Sequence, residues 1–415
     1  MAERTRREIG LDAFAVREHR SLWGDAWRRL VSSNTARIGM GIVIFFVVAT
    51  AVAHFAWTYD PTVDIDYGLK LKRPNLVRTA EVLSIHPFGT DINGRDIFRR
   101  VVHGGWNSLR VGLVSVGISL VVGEILGLVA GFYESMPIGR AGRAALLGAI
   151  GLVLGLLPGW IAGQYLQAVL FCGLGVAGVF LEDFLAPHQE RKVTLARVGF
   201  FAAVGLLLGG GPALLVNLMT AAACGVLGLC IGAILSLPLG GPMLSNLIMR
   251  LMDLILSFPG ILLAVAIVTM LGPGLEKGMI AIGIVGIPTY ARLSRAQVLY
   301  VVQEEYVTAA RAVGVTQGRI LVRHILPNTL SPIIVQSTLG LGNAIIWAGA
   351  LGFLGLGAIP PQPEWGAMLS DSYKFLMSGA WWAVVFPGLA IMLSVLGFNL
   401  LGDGLRDALD PRLRI

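Results

Sequence analysis

The sequence has 415 residues, of which 55% are hydrophobic and only 14% are charged, whereas about 25% of the residues of an ordinary soluble domain are charged. The formal net charge is +7, but the basic residues gather at the ends of apolar runs and no platform of basic and aromatic side chains accompanies them, which argues against nucleic-acid binding. The composition therefore predicts a protein that crosses a lipid bilayer several times.

The N-terminal part of the chain predicts two spans. Residues 1–37 are polar and rich in arginine, and Ile38 to Trp57 is the first run long enough to cross about 30 Å of hydrocarbon. No cleavage site of small residues follows a short apolar segment, so we interpret residues 1–37 as a cytoplasmic segment and the run as a signal-anchor helix. A second span is predicted at about Leu109 to Tyr133, so that residues 38–133 hold two spans joined by an external loop.

Residues 134–245 form an apolar block that a charged segment, EDFLAPHQERK at Glu182 to Lys192, divides. Two crossings would need helices far longer than the bilayer is thick, so four shorter spans are predicted. Their approximate ranges are Ala144–Trp160, Ile161–Leu181, Ala196–Leu214 and Asn217–Leu237.

Residues 246–415 carry the remaining four spans, at about Arg250–Leu271, Gly278–Leu293, Leu330–Leu351 and Trp381–Leu401. Basic residues concentrate in cytoplasmic loops. The segment 294–329 is net positive and the loop after Gly357 is not, which places the former in the cytoplasm and the latter outside. The fold class is therefore predicted as all-α and polytopic, with about ten transmembrane helices and both termini cytoplasmic.

The cytoplasmic segment contains the stretch EEYVTAARAVGVTQGRILVRHILPNTL, which is too polar to cross a bilayer. As a helix, it places Tyr306, Ala310 and Val313 on one face. Gly314 is expected to end that helix, because glycine adopts the left-handed cap conformation without steric cost.

A second short helix is predicted at about Thr316 to Ile325, and Pro327 is expected to end it and redirect the chain. The product would be a compact pair of helices that presents small residues and arginines to the cytoplasm. Small side chains permit close approach, which suits insertion into a groove on a partner. The alternative is an amphipathic helix that rests on the membrane surface.

This stretch resembles the cytoplasmic loop of ABC-importer permeases, whose pattern is Glu-Ala-Ala, three residues, Gly, nine residues and Ile-x-Leu-Pro. The sequence has Thr308-Ala309-Ala310, then Gly314, then His324-Ile325-Leu326-Pro327 at the same spacing. Thr308 replaces the family's Glu and His324 replaces its first Ile, so any contact that the family's Glu makes with the ATPase does not carry over.

Three further segments resemble the C-type permease subunit of dipeptide and oligopeptide importers. They are HPFGTDINGRDIFRR, FLGLGAIPPQPEWGAML and FPGLAIMLSVLGFNLLGDGLRDALDPRLR. The resemblance covers about residues 21–133 and 246–415 and leaves out the apolar block. It implies a six-helix permease core, to which the block adds four inserted helices.

The resemblance also implies partners and a location. These are a second homologous permease subunit, two cytoplasmic ATPase subunits and an external substrate-binding protein, in the cytoplasmic (inner) membrane. The sequence has no GxxxxGK[ST] loop for a nucleotide, so we expect no cofactor and no enzymatic activity in this chain. The residues implied to couple it to the ATPases are Tyr306, Thr308, Ala309, Ala310, Arg311, Gly314, Ile325, Leu326 and Pro327.

Other functions remain as alternatives to peptide import. Related C-type subunits serve nickel or glutathione. An ion-driven secondary transporter should show inverted repeats, and none is evident. The absence of GxSxG, HExxH and CxxC gives little support to a membrane-bound hydrolase or metalloenzyme.

Ionisable residues within or beside the spans are the other candidates. Glu124 lies inside the second span, where an ionisable residue indicates function, such as lining the pathway, or a place at a helix interface. Asp253 is expected to form a local ion pair with Arg250. Asp91 and Asp96, in GTDINGRD, favour a turn fixed by carboxylate–guanidinium bonds over a metal site.

Overall fold

The structure is a computed structural model that describes residues 22–76, 85–135, 195–213 and 241–409, together with short pieces between 148 and 231. All regular structure in these residues is helical, and two isolated β-bridges join Asn75 to His86 and Thr90 to Asp96. The chain divides into two compact units, one of residues 1–127 with 252–415 and one of residues 128–251. The all-α prediction is thus confirmed for the described part of the chain.

The described helices of eight or more residues, with one shorter helix in the segment 294–329, are numbered here in chain order. They are α1 (Leu22–Ser32), α2 (Asn34–Ala56), α3 (Ile97–Ser135), α4 (Leu195–Ala213), α5 (Gly241–Leu256), α6 (Gly260–Leu271), α7 (Leu275–Val301), α8 (Glu305–Ala312), α9 (Gln317–Ile320), α10 (Leu326–Phe353), α11 (Trp365–Ser372) and α12 (Trp382–Leu409). A π-helical turn, Leu321–Ile325, joins α9 to α10, and short 3-10 turns lie at Tyr67–Leu69 and Tyr373–Phe375.

Several of these helices can cross a membrane. By length and composition α2, α3, α12 and the continuous helical stretch Gln317–Phe353 qualify, and the bent pair α5–α6 makes a fifth if it is one span. The chain is therefore a multi-pass membrane protein. Of the four spans predicted between 134 and 245, Ala196–Leu214 is described, as α4. The other three lie, apart from short pieces, outside the described residues.

The segment predicted as a span over Arg250–Leu271 is a bent pair of helices, which passes as one span only if α5 and α6 are taken together. The chain bends by 88° between the end of α5 and the start of α6. The cause is Pro259, which has no N–H for a helical ladder and disfavours the helical conformation at Phe258. Ser257 still donates its N–H to the carbonyl of Asp253, at 2.9 Å, so α5 closes its last turn before the break.

The prediction that Pro327 ends the second loop helix is wrong. Pro327 lies in the first turn of α10, and helix continues through it. The π-helical turn before it makes this possible, because the N–H of Leu326 reaches back five residues to the carbonyl of Leu321. In a first turn the missing N–H of proline costs little.

A hydrophobic core holds α3, α6, α7 and α10 together. Its fully buried members include Val268 of α6, Ala281 of α7, and Ile333 and Leu351 of α10. A second cluster joins the start of α3 and α11 to α12 around the buried Trp365. These two clusters fix the helices that carry the loop and the cavity described below.

A buried polar cluster organises the segment before α3. The Asp91 carboxylate accepts hydrogen bonds from Arg95 Nε at 2.7 Å and Arg100 Nη1 at 2.5 Å, and from the N–H groups of Asn93 and Arg95. Asp371 lies 3.5–3.7 Å from the same two guanidinium groups. The predicted carboxylate–guanidinium turn is confirmed for Asp91.

Asp96 does not share that cluster. Its carboxylate contacts Nδ1 of His86 at 2.6 Å. Among the residues that the structure describes, no group of His, Cys, Asp and Glu side chains is arranged to hold a metal ion.

Glu364 fixes the segment between α10 and α12, which no candidate span includes. Its carboxylate accepts hydrogen bonds from the N–H groups of Gly366 and Ala367, both at 2.9 Å, and so caps α11. The hydroxyl of Ser108 in α3 donates to it at 3.3 Å. Burial raises the pKa of the Glu364 carboxyl group, although these three hydrogen bonds oppose the shift.

Candidate coupling loop and transport cavity

The loop between α7 and α10 is built around the conformation of Gly314. Gly314 has a φ of 82°, and nothing lies within 4 Å of where a Cβ would be, so the backbone and not the space requires glycine. The N–H of Gly314 donates to the carbonyl of Arg311 and that of Val315 to the carbonyl of Ala310, the two hydrogen bonds of a Schellman cap. The sequence predicts this helix end correctly.

The loop residues divide into an anchor and an exposed surface. Val307, which the sequence prediction left out, is completely buried and anchors α8, and Ile325 is also completely buried. The signal for Val307 is its apolar side chain on the helix face opposite Ala309. Leu326 and Ala310 are half-buried, and the remaining predicted residues are exposed: Tyr306, Thr308, Ala309, Arg311, Gly314 and Pro327.

Tyr306 lies where α8 meets the second part of the loop. Its ring is 6.4 Å from the ring of His324, centroid to centroid. Burial raises the pKa of its phenol, and Glu304 and Tyr300 act in the same direction. Tyr306 is therefore a neutral hydrogen-bond donor at physiological pH, on a surface that also carries Arg311.

The predicted ion pair of Asp253 with Arg250 is wrong. Asp253, in α5, pairs with Nη2 of Arg292, in α7. Tertiary packing brings these two helices together, and a residue 39 positions away in sequence takes the place of a neighbour three positions away. Both side chains are about half exposed, so the pair contributes little stability.

A cavity of about 620 Å³ lies among α3, α7, α10 and the bend between α5 and α6. None of the residues that line it carries a charge. Its polar groups are hydroxyls and amides, from Ser115, Ser119, Thr289, Tyr290, Gln336 and Asn343. Such a surface can exchange hydrogen bonds with a polar solute without selecting the sign of its charge.

Sequence reasoning missed this cavity, although a signal existed. Gln336, Gly340 and Asn343 are spaced four and three residues apart in an apolar stretch of α10, which places them on one face. The bend at Pro259 completes the wall. Neither feature indicates a cavity without knowledge of which helices face each other.

Glu124 lies away from this cavity, at the interface of α3 with α7 and the start of α10. It is 9% exposed, and neither carboxylate oxygen has a hydrogen-bond partner in the described part of the chain. The hydroxyls of Ser294 and Thr329 are the groups that act on it. Of the two places that the sequence leaves open for Glu124, the structure puts it at the helix interface.

Comparison with known protein families identifies both ends of the chain. Residues 228–415 match the family described as the binding-protein-dependent transport system inner membrane component. Residues 21–74 match the N-terminal transmembrane domain of oligopeptide transport permease C.

Similar proteins cover nearly the whole chain. The di/tripeptide transport system permease protein DppC of Pseudomonas aeruginosa is 49% identical over 94% of this chain and 91% of its own. The dipeptide transport system permease protein DppC of Alkalihalophilus pseudofirmus is 36% identical over 95% and 91%. The glutathione transport system permease protein GsiD of Pectobacterium atrosepticum is 31% identical over 95% and 93%.

Proposed function

Because this chain belongs to the family of C-type permease subunits of dipeptide and oligopeptide ABC importers, we propose that it forms one half of the transmembrane pore of an ATP-driven importer of di- and oligopeptides in the inner membrane. The observation that carries the proposal is the 49% identity to a di/tripeptide permease over 94% of the chain. The exposed loop around Gly314 and the uncharged cavity support it.

The mechanism follows from these two features. Two cytoplasmic ATPase subunits close on ATP and move the loop 294–329, whose exposed face carries Tyr306, Ala309 and Arg311. That movement shifts α7 and α10, which the loop connects and which both line the cavity. The cavity then opens alternately to the two sides of the membrane. A second homologous permease would complete the pore, and an external binding protein would deliver the peptide.

The chemistry of the cavity fits a zwitterionic peptide of variable side chains. Gln336 and Asn343 each offer one amide acceptor and two amide donors, which match the groups of a peptide bond. No charge in the lining would hold either terminus too tightly to release it. Selection of the peptide would therefore rest mainly on the binding protein.

The finer topology is part of the same proposal. The core has six spans, the block 134–245 adds four, and both termini are cytoplasmic. The loop 294–329 then faces the cytoplasm, and the segments before α3 and around α11 face outward.

Glutathione is the second candidate substrate. The specific observation in its favour is that a glutathione permease is 31% identical over 95% of this chain. Glutathione is itself a tripeptide, so the cavity does not separate the two candidates.

The test is transport by the assembled protein in proteoliposomes, with its partner permease, ATPase subunits and binding protein. We expect ATP-dependent accumulation of a labelled dipeptide that disappears when the binding protein is omitted. Parallel measurements use labelled glutathione and ⁶³Ni²⁺. Uptake of glutathione or nickel without dipeptide uptake would replace the proposed substrate, and uptake driven by an ion gradient in the absence of ATP would refute the transporter class.

A further inference from the structure

Helix α3 passes α7 at backbone contact distance on both sides of Glu124. A Cβ atom on Gly123 would lie 2.6 Å from Cβ of Tyr290, and one on Gly127 would lie 2.4 Å from the carbonyl oxygen of Ala291. Glu124 therefore lies within a Gly-x-x-x-Gly motif that packs two helices closely. Glu124 itself is 9% exposed.

The Glu124 carboxyl group is unsatisfied in this structure. Ser294 donates its hydroxyl to the main-chain carbonyl of Glu124 at 3.4 Å, and Thr329 donates its hydroxyl to the carbonyl of Leu326 at 2.9 Å. Ser294 and Thr329 are nevertheless the side chains that interact electrostatically with the carboxyl group, and no charged side chain of the described residues does so.

The two hydroxyls lie at the two ends of the coupling loop. Ser294, the first residue of the loop 294–329, lies two turns before the end of α7, and Thr329, its last residue, lies in the first turn of α10. Both residues are completely buried. Helix α3 also contributes Ser115 and Ser119 to the cavity wall. One carboxyl group thus interacts electrostatically with both ends of the loop from a helix that lines the cavity.

We infer that Glu124 is a positioning residue that transmits movement of the loop 294–329 to the cavity wall. Its carboxyl group exchanges hydrogen bonds with Ser294 and Thr329 in one state of the transport cycle and lacks them in the other. A buried polar group without a hydrogen bond is unfavourable, so the state that supplies the hydroxyls is stabilised relative to this one. The inference rests on the proposed function, because it takes the loop as the place where the ATPases act.

The test reads the cavity wall directly and needs no substrate. Thr289→Cys places a reporter in the cavity, in a background in which Cys172, Cys224 and Cys230 are replaced by alanine. The rate of maleimide labelling is measured in the assembled transporter with ADP and after trapping with ATP and vanadate. The ratio of the two labelling rates measures how strongly the nucleotide state changes the accessibility of position 289.

We expect Glu124→Leu and Thr329→Val each to reduce that ratio at least about fivefold, and the double variant to reduce it no further, because both remove the same contact. Glu124→Gln should stay within about twofold of the parent, because an amide exchanges the same hydrogen bonds. Thr338→Val is the matched control. Thr338 is a buried threonine of α10 whose hydroxyl donates within its own helix, to the carbonyl of Ile334.

A labelling ratio in Glu124→Leu equal to that of the parent protein would overturn the inference. So would Glu124→Gln as impaired as Glu124→Leu, or Thr338→Val as impaired as Thr329→Val. If Glu124→Leu does not assemble, Thr329→Val decides alone. Failure of the proposed function would give a different result. The parent protein would then show no ATP-dependent dipeptide uptake, while its labelling rate would still differ between the two nucleotide states.

Discussion

The buried cluster around Asp91 yields a prediction whose magnitude follows from the structure. Asp91 is 1% exposed, and the guanidinium groups that it binds, on Arg95 and Arg100, are 5% and 2% exposed. Asp91→Asn keeps the shape of the side chain and an oxygen to accept the N–H groups of Asn93 and Arg95. The substitution therefore removes the charge and leaves the local hydrogen bonds of the turn.

Removing one partner of a buried ion pair typically costs about 3–5 kcal/mol, because it leaves the other charge buried and uncompensated. Asp371 lies 3.5–3.7 Å from both guanidinium groups and is 38% exposed, so it compensates in part. We therefore expect the lower end of the range, about 3 kcal/mol. The matched control is Asp64→Asn. Its pair with Arg99 spans 3.8 Å and is about two-fifths exposed, so its loss should cost less than about 1 kcal/mol.

The assay is hydrogen exchange of the peptide 86–100, measured by mass spectrometry on the protein in lipid nanodiscs. A loss of about 3 kcal/mol in local opening free energy accelerates exchange by about 100-fold, since each 1.4 kcal/mol is a factor of ten. The control should remain within about fivefold. Acceleration below about threefold in Asp91→Asn, or equal acceleration in the two variants, would refute the assignment of the cluster as the element that holds this segment.

Three further predictions concern the loops. Gly314→Val should abolish substrate-stimulated ATP hydrolysis by the assembled transporter, because valine at positive φ costs about 1 kcal/mol or more. Gly318→Val changes an open position without positive φ and should not abolish it. Equal hydrolysis rates in the two variants would contradict this prediction. Burial raises the folded-state pKa of the Glu364 carboxyl group. Protection of the α11 amides from hydrogen exchange should therefore be full below the ordinary carboxyl pKa and should fall as pH rises through the raised value. Glu364→Gln should remove that pH dependence, and an unchanged pH profile in the variant would contradict the assignment. The topology is tested in a cysteine-free background with an impermeant maleimide on intact cells. Met377→Cys, at a position 95% exposed, should react, and Gln317→Cys should not. The reverse labelling pattern would contradict the proposed topology.

Proline shows where sequence reasoning succeeds and where it fails. Pro259 bends the chain, for which the sequence analysis made no prediction, and Pro327 does not end its helix, although the sequence predicted that it would. Pro288 and Pro387 lie inside α7 and α12 without ending them. Within a membrane, neighbouring helices and local π-helical adjustment satisfy the groups that proline frees. Whether proline ends a helix there depends on the surrounding packing, which the local sequence does not contain.

Gly314 could be predicted because its requirement is local: the chain needs positive φ at that residue whatever surrounds it. The ion-pair partner of Asp253 and the surroundings of Glu124 could not be predicted, because they are set by residues of other helices. For Asp253 the sequence indicated the nearby Arg250, whereas tertiary packing places Arg292 beside its carboxylate. Periodicity assigns a residue to a helix face, but only the packing of helices decides what that face meets.

The apolar block between α3 and α5 leads to the last prediction. Ser245, in the second turn of α5, donates its hydroxyl to the carboxylate of Glu134 at the end of α3, at 2.7 Å, so the two ends of the block lie close together. Within the block, a Cβ on Gly228 would lie 2.1 Å from the carbonyl oxygen of Gly205, which shows that the described segments that carry these two residues pack closely on each other. A segment with its own packing and adjacent ends can be removed without stretching the core. Replacing Met136–Gly241 with a turn of a few residues should therefore leave measurable ATP-dependent dipeptide uptake in proteoliposomes. If the shortened chain assembles with its partners and transports nothing, the block is part of the transport machinery and not an addition at its periphery.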